Sequence, residues 1–271
     1  MKKALFFDQG LVPKKELFSP FALTDVLTSF SGENDIPIIH FWQMDQVLIL
    51  GMKDSRVPHL EEALSTVLKY QYQPILRNAG GLGVISDLGT LNVSLILPKK
   101  SVHDLSIDEG YLRMFHWLKQ TSFNEWTITA GEIADSYCPG KFDLSIQGKK
   151  IAGLAQRRVK NGIAVMMYLS VNGDQDFRGQ LVKDFYQAGL KDSFGDLGYP
   201  PVRPESMTTL SAVNGKEMSI RQVKEQLLEA MPHSDQTEKL SDFFQTTDFT
   251  DRLKKMTQRN MIIQEELDEQ L

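Results

Sequence analysis

Cysteine is almost absent from this chain of 271 residues: Cys138 is the only one. No intramolecular disulfide can form, which fits a reducing compartment. Histidine is scarce as well. His40, His59, His103, His116 and His233 show no metal-ligand spacing, and no His-Glu-x-x-His occurs. Runs of basic residues are missing and the net charge is −5, which disfavours nucleic-acid binding through a basic face. Long apolar runs are missing too. Runs such as Val47–Leu50 and Leu95–Leu97 are far too short to span a bilayer. The start, MKKALFFDQG, has two lysines and only four apolar residues before Asp8, which is too little for a secretory signal. The chain therefore reads as soluble and cytoplasmic. No Gly-x-Ser-x-Gly elbow is present to suggest a serine hydrolase.

What is there is ordinary globular composition, 41% apolar and 24% charged. Ser19-Pro20 predicts a helix to about Phe30, with Ser19 as its hydroxyl N-cap. Ile38–Phe41 and Val47–Leu50 read as two strands around a polar turn. Leu60, Ala63, Leu64, Val67 and Leu68 recur at helical spacing within Pro58–Tyr70. Pro74–Arg77 and Leu91–Leu97 read as strands. Ser106 and Glu109 form a capping-box pattern ahead of a helix to about Gln120. Phe142–Ile146, Lys150–Arg157 and Ile163–Val171 follow as three successive strands. Phe177–Ala188 then predicts a helix with Gly189 as C-cap. No glycine occurs after Gly215, and the stretches Ser219–Met231 and Thr237–Glu266 read as helices. The expected fold class is α+β, a mixed or antiparallel sheet flanked by helices. A boundary at Tyr199-Pro200-Pro201 divides a catalytic domain, 1–199, from a C-terminal helical extension, 200–271.

Three segments could carry chemistry. Arg77-Asn78-Ala79-Gly80-Gly81-Leu82-Gly83 packs three glycines into four positions. Such a loop lets backbone approach a ligand, and the arginine before it can hold a carboxylate, phosphate or amide oxygen. It lacks the Gly-Lys-Ser/Thr of a phosphate-binding loop and the spacing of a dinucleotide fingerprint, and an ordinary tight connection reads equally well. Ser136-Tyr137-Cys138-Pro139-Gly140 is the second segment. On residue type alone a single cysteine is a small buried hydrophobe. The Pro-Gly that follows puts it at a turn, where free backbone N–H groups can hold an oxyanion. A thiol becomes a useful nucleophile beside a cation, and Lys149 and Lys150 are the candidates. A hairpin between them would separate lysine from cysteine along its length, so local pairing does not bring them together. Met166-Met167-Tyr168 reads as sheet core, and His116 as structural.

Taken together these blocks resemble the biotin/lipoate protein ligase superfamily over most of residues 36–190. Phe41-Trp42-Gln43 with Val47–Gly51 looks like its first strand pair. Arg77–Gly81 with Asp87-Leu88-Gly89 and Leu91–Ser94 looks like its acyl-cofactor loop, and Phe142–Ile146 with Gly148–Arg158 looks like its lysine-bearing hairpin. The Tyr-Cys-Pro-Gly phrase and Gly80–Val84 are similar to the branch that moves octanoyl or lipoyl groups off the glycine cleavage H protein. The resemblance implies a class II synthetase-like catalytic domain, with Cys138 as acyl-thioester nucleophile and Lys150 as its catalytic partner. Arg77, Gly80, Gly81, Leu82, Gly83 and Gly153 would bind substrate, with Leu82 and Val84 as walls of an acyl slot. It also implies the H protein as donor and lipoyl domains of 2-oxoacid dehydrogenase E2 subunits as acceptor, with no nucleic acid and no membrane as partner. Neither ATP nor metal is expected. An octanoyl-carrier-protein-dependent transferase and an ATP-dependent lipoate ligase remain as alternatives. Asn78 and Leu82 stand where ligases carry a second Arg and a further Gly, which argues against adenylate formation.

Overall fold

Every residue from Thr90 to Pro98 is buried, so this run can only be a central strand covered on both faces. The computed structural model around it describes residues 2–99 and 105–268, which leaves His103 outside. In chain order its elements are β1 (Ala4–Leu11), α1 (Ser19–Asn34), β2 (Ile38–Gln43), β3 (Val47–Leu50), α2 (Leu60–Lys69), β4 (Gln73–Leu76), β5 (Val84–Ser86) and β6 (Thr90–Pro98). There follow α3 (Ile107–Lys119), β7 (Ile128–Ala130), β8 (Leu144–Ile146), β9 (Lys149–Val159), β10 (Gly162–Ser170) and α4 (Gln175–Leu190). The rest comprises α5 (Leu210–Asn214), α6 (Ile220–Glu229), β11 (His233–Asp235), α7 (Leu240–Phe244) and α8 (Thr247–Asp268).

Eight strands form one mixed sheet in the order β11-β1-β2-β6-β10-β9-β8-β7, and three form a second, β4-β3-β5. Strands β11, β1 and β2 run parallel, and every other pairing in the large sheet is antiparallel. One face of the large sheet packs Ile38, Ile96 and Ala164 against Leu23 and Leu27 of α1. The other packs Val93 and Leu95 against Trp117 and Leu118 of α3 and Val223 and Leu227 of α6. The small sheet is cored by α2, α4 and α8. This mixed sheet flanked by helices is the fold class the sequence predicts. No described helix is long and apolar enough to cross a membrane.

Local differences have local causes. β2 and β3 are not partners: the turn at Gln46, which has φ of 55°, passes the chain from the large sheet to the small one. Ser19 is the first helical residue of α1, and Phe18 is the N-cap. The Ser19 hydroxyl accepts from Gln9 Nε2 at 2.9 Å instead of capping the helix. Gly189 lies inside α4, where a Cβ would stand 3.0 Å from Val57 and 3.1 Å from Ala63. It permits the close approach of α2 and α4 rather than ending the helix. The capping box at Ser106 and Glu109 forms in full.

Candidate active site

The loop after β7 returns over the start of β9 because β8 has only three residues. The hairpin is therefore too short to carry lysine far from cysteine. Lys150 pairs with Ser145, and a register shift follows between Ser145 and Leu144. Lys150 is 2% exposed. Its ammonium donates to the carbonyl oxygens of Tyr137 (2.9 Å) and Cys138 (2.7 Å) and to the Ser136 hydroxyl (3.2 Å). It also pairs with Asp143 Oδ1 at 3.0 Å. The other oxygen of Asp143 accepts from the N–H groups of Gly140 (3.1 Å) and Ile133 (3.3 Å). Burial raises the Asp143 carboxyl above its ordinary range and outweighs the opposing pull of the Lys150 ammonium. Lysine and aspartate together fix the backbone of residues 136–140.

Tyr137 is fully buried, and its hydroxyl bonds closely to that of Tyr168 and accepts from Gln175 Nε2 at 3.2 Å. Held on both sides, Cys138 adopts φ of 48°, a left-handed conformation uncommon for a residue with a side chain. Its sulfur is aimed at the glycine loop. Leu82 N–H donates to Sγ at 3.1 Å, and Arg77 Nη2 lies 3.8 Å from it. No hydrogen bond joins Lys150 Nζ to Sγ.

Arg77 shapes that loop. Its guanidinium donates to the carbonyls of Gly80 (2.8 Å) and Leu82 (2.9 Å). Gly81 has φ of 92°, and a Cβ there would stand 2.5 Å from Arg77 Nη2 and 3.1 Å from Sγ. A Cβ on Gly51 would fall 1.8 Å from the Gly81 carbonyl oxygen, so the chain leaving β3 can touch the loop only because residue 51 is glycine. Behind the loop, Tyr186 OH donates to Asp54 Oδ1 at 2.8 Å, and Gly83 N–H donates to Tyr186 OH at 3.4 Å. Burial pushes the Asp54 carboxyl up to about 6, against the Tyr186 and Gly51 hydrogen bonds and the charge of Arg77.

Cys138 and Arg77 open onto an apolar cavity, in which a water-sized sphere's centre can roam about 60 Å³. Its floor is one cross-strand row of the large sheet, Trp42–Asn92–Tyr168–Gly153. Three strand spacings make this row about 14 Å long. Phe21, Ile49, Val84 and Met166 supply the walls. Gly153 keeps the cysteine end open, since a Cβ there would meet only Lys150 Cε (3.4 Å) and Nζ (3.6 Å).

Of the residues singled out in the sequence, Cys138, Arg77, Gly153 and Val84 line this cavity. Lys150 and Leu82 meet the cysteine directly, Leu82 through its backbone N–H while its side chain sits in the core. Gly80 and Gly81 line a neighbouring surface hollow with Lys53, Arg56 and Tyr199, and Gly83 packs beneath Leu48 and Leu50. Met166-Met167-Tyr168 is sheet core as read, with Met167 and Tyr168 in the cores on opposite faces of the strand, and the stretch also lines the cavity. Asp143 belongs to the site as well, though it is not among the residues singled out in the sequence. Its signal was an acidic residue among apolar ones at the head of Phe-Asp-Leu-Ser-Ile, where only a buried partner makes a carboxylate tolerable. Among the described residues no group of three or more His, Cys, Asp or Glu could hold a metal ion.

A thiol fixed at one end of an apolar slot, between a glycine loop and a buried lysine on a mixed sheet, defines an acyl-handling domain. Residues 16–232 match the Lipoyl protein ligase A/B catalytic domain, and the chain belongs to that family. Within it, the chain is 41% identical over 201 residues to the octanoyl-[GcvH]:protein N-octanoyltransferase of Exiguobacterium sibiricum, covering 74% of this chain and 72% of the relative. It is 37% identical over 232 residues to the lipoyl-[GcvH]:protein N-lipoyltransferase of Listeria monocytogenes, covering 84% and 83%. The bi-partite lipoate protein ligase of Thermoplasma acidophilum, 19% identical, shares the fold with a TM-score of 0.66 over 94% of this chain and 92% of that one.

Proposed function

We propose that this chain is an acyltransferase of protein lipoylation. It takes an octanoyl or lipoyl group from a lysine of the H protein, GcvH, and delivers it to a lysine of a 2-oxoacid dehydrogenase lipoyl domain through a thioester on Cys138. The observation that carries the reading is the aim of the Cys138 sulfur: Leu82 N–H and Arg77 both point at it, at the mouth of the apolar slot. Relatives in the same family are named for transfer from GcvH.

Donors converging on the sulfur stabilise negative charge there. Sγ attacks the carbonyl carbon of the acyl-lysine amide, and the negative charge that develops on the carbonyl oxygen is stabilised by hydrogen bonds donated from Leu82 N–H and Arg77 Nη2. The C–N bond breaks as the proton from the thiol reaches the leaving amine. In the second half an incoming lysine amine attacks the thioester carbonyl, the C–S bond breaks, and the proton returns to sulfur. Amide is exchanged for amide, so no ATP is consumed. Lys150 holds the cysteine backbone in its left-handed pose. Proton delivery to the amine requires one of its bonds, to Ser136 or a carbonyl, to exchange. Burying the roughly seven carbons beyond the carbonyl contributes on the order of 5 kcal/mol. The unbranched side chains of Met166 and Met167 can shift to admit them.

Mass spectrometry tests this. Incubation with octanoyl-GcvH should add one octanoyl group at Cys138, and a lipoyl domain added later should remove it. The Cys138→Ser variant should gain nothing. Modification of the lipoyl domain from free lipoate and ATP, with Cys138 never acylated, would show a ligase instead.

A further inference from the structure

The C-terminal helix α8 lies beyond the stretch that matches the family, residues 16–232. Yet it reaches the residue next to Arg77. β4 is an edge strand of the small sheet. Its pairing with β3 continues through Arg77 N–H to the Leu50 carbonyl at 2.9 Å, so the N–H and C=O of Leu76 point the other way. Asn260 of α8 meets both: Leu76 N–H donates to its Oδ1 at 2.6 Å, and its Nδ2 donates to the Leu76 carbonyl at 3.0 Å. A spare donor on Nδ2 goes to Met256 O at 2.9 Å, within the helix. Asn260 is 2% exposed. One side-chain amide thus does for Leu76 what a further strand would do.

A second tether holds the other side of Arg77. Arg252 of α8 pairs with Asp25 at 3.3 Å and donates to the Ser29 hydroxyl at 3.0 Å, both on α1. Asp25 in turn accepts from Arg157 at 2.7 Å and from Asn78 Nδ2 at 3.2 Å, and Arg157 donates to the Asn78 carbonyl at 2.9 Å. Residues 76 and 78 are therefore both tied to α8, one directly and one through Asp25. Arg77 stands between them with its guanidinium on the cysteine loop.

We infer that Asn260 is a positioning residue for the Cys138 site, acting through Leu76 to set Arg77 against the sulfur. The inference rests on Cys138 being the reactive group of the proposed function. Side-chain packing alone would not require an amide at this place: Leu would fill a similar volume but leave two buried backbone groups unpaired.

The test is the rate at which iodoacetamide alkylates Cys138, which needs no acyl donor and so stands apart from the transfer assay. Asn260→Leu should slow alkylation about tenfold, as should Arg77→Met, because each withdraws the cation and the ordered loop from the thiol. The double variant should be no slower than Arg77→Met, since both changes break one chain of contacts. Ile263→Ala, a packing change on the same helix that removes neither of the Asn260 bonds to the Leu76 backbone, should lower the urea midpoint while alkylation stays at the parent rate. Should Asn260→Leu fail to fold, Asn260→Ser removes the paired bonds without adding bulk. Alkylation of the Asn260 variant at the parent rate overturns the inference. So does a double variant in which the two effects multiply, because Asn260 would then act independently of Arg77. A protein that shows the expected alkylation pattern but never accepts octanoyl from GcvH would count against the proposed function only.

Discussion

The ammonium of Lys150 donates to the carbonyl oxygen of Cys138 at 2.7 Å, so the lysine grips the cysteine's backbone while the sulfur looks elsewhere. That grip depends on Asp143, the only carboxylate bonded to the buried ammonium among the described residues. Removing one partner of such a pair leaves a buried charge uncompensated. Lys150→Met is expected to cost about 3–5 kcal/mol in urea unfolding. Replacing both, as Lys150→Met with Asp143→Leu, should recover most of that stability. Acylation of Cys138 should stay low in both variants, because the pose at φ 48° has lost its clamp. A double variant that is acylated at the parent rate would remove Lys150 from the catalytic unit.

The blocks around Cys138 and Lys150 were legible in the sequence, but their meeting was not. The Pro-Gly turn and the lysine before Ile-Ala-Gly are local patterns. Their contact depends on β8 being three residues long, and its length is set by where β7 and β9 stop pairing. Cross-strand register leaves no local trace, which is also why Trp42, Asn92 and Tyr168 could not be read as one row. β11 was missed for a related reason. His233-Ser234-Asp235 has no strand pattern, and it pairs because the edge of β1 is open beside it. The capping box at Ser106, by contrast, is complete within four residues and was readable at once.

Gly153 separates the acyl slot from the fold. A methyl group there meets Lys150 only at ordinary contact distance, so Gly153→Ala should leave stability within about 1 kcal/mol of the parent, with β-strand propensity compensating. Gly153→Val adds bulk at the open end of the cavity. It is expected to raise KM for octanoyl-GcvH several-fold more than the alanine variant does, while iodoacetamide, a small reagent, still reaches Cys138. Steady-state kinetics on the three proteins checks this. Unchanged KM in the valine variant would mean that the chain enters by another route.

Gly81 tests the loop. At φ 92° a side chain is strained, and its Cβ would press on Arg77 Nη2. Gly81→Ala should cost about 1–2 kcal/mol of stability. The displaced guanidinium should also slow Cys138 alkylation markedly. Gly80→Ala is the contrast, because a Cβ at Gly80 meets nothing within 4 Å. Its alkylation rate should match the parent. If the two alanine variants react alike, the loop is not what orders the thiol.

Asp54 gives the loop's support a pH dependence whose sign can be worked out. Its carboxyl is fully buried, and burial raises it from 3.8 to about 6. Below 3.8 the group is neutral in folded and unfolded chains alike, and its stabilising share is fully present. Between 3.8 and about 6 the unfolded chain has released the proton while the folded chain keeps it, so stability falls as pH rises, by roughly 3 kcal/mol in all. Above that window the loss is complete. Asp54→Asn keeps an acceptor for Tyr186 or Gly51 and never ionises. The difference in urea midpoint between parent and variant should therefore favour the parent most below pH 3.8, shrink through pH 6 and level off above pH 7. A difference that does not vary with pH would mean that Asp54 ionises in the folded protein as it does in water. The Tyr186 bridge to Gly83 would then rest on a permanent charge, and the Arg77 guanidinium would be the cation that keeps it there.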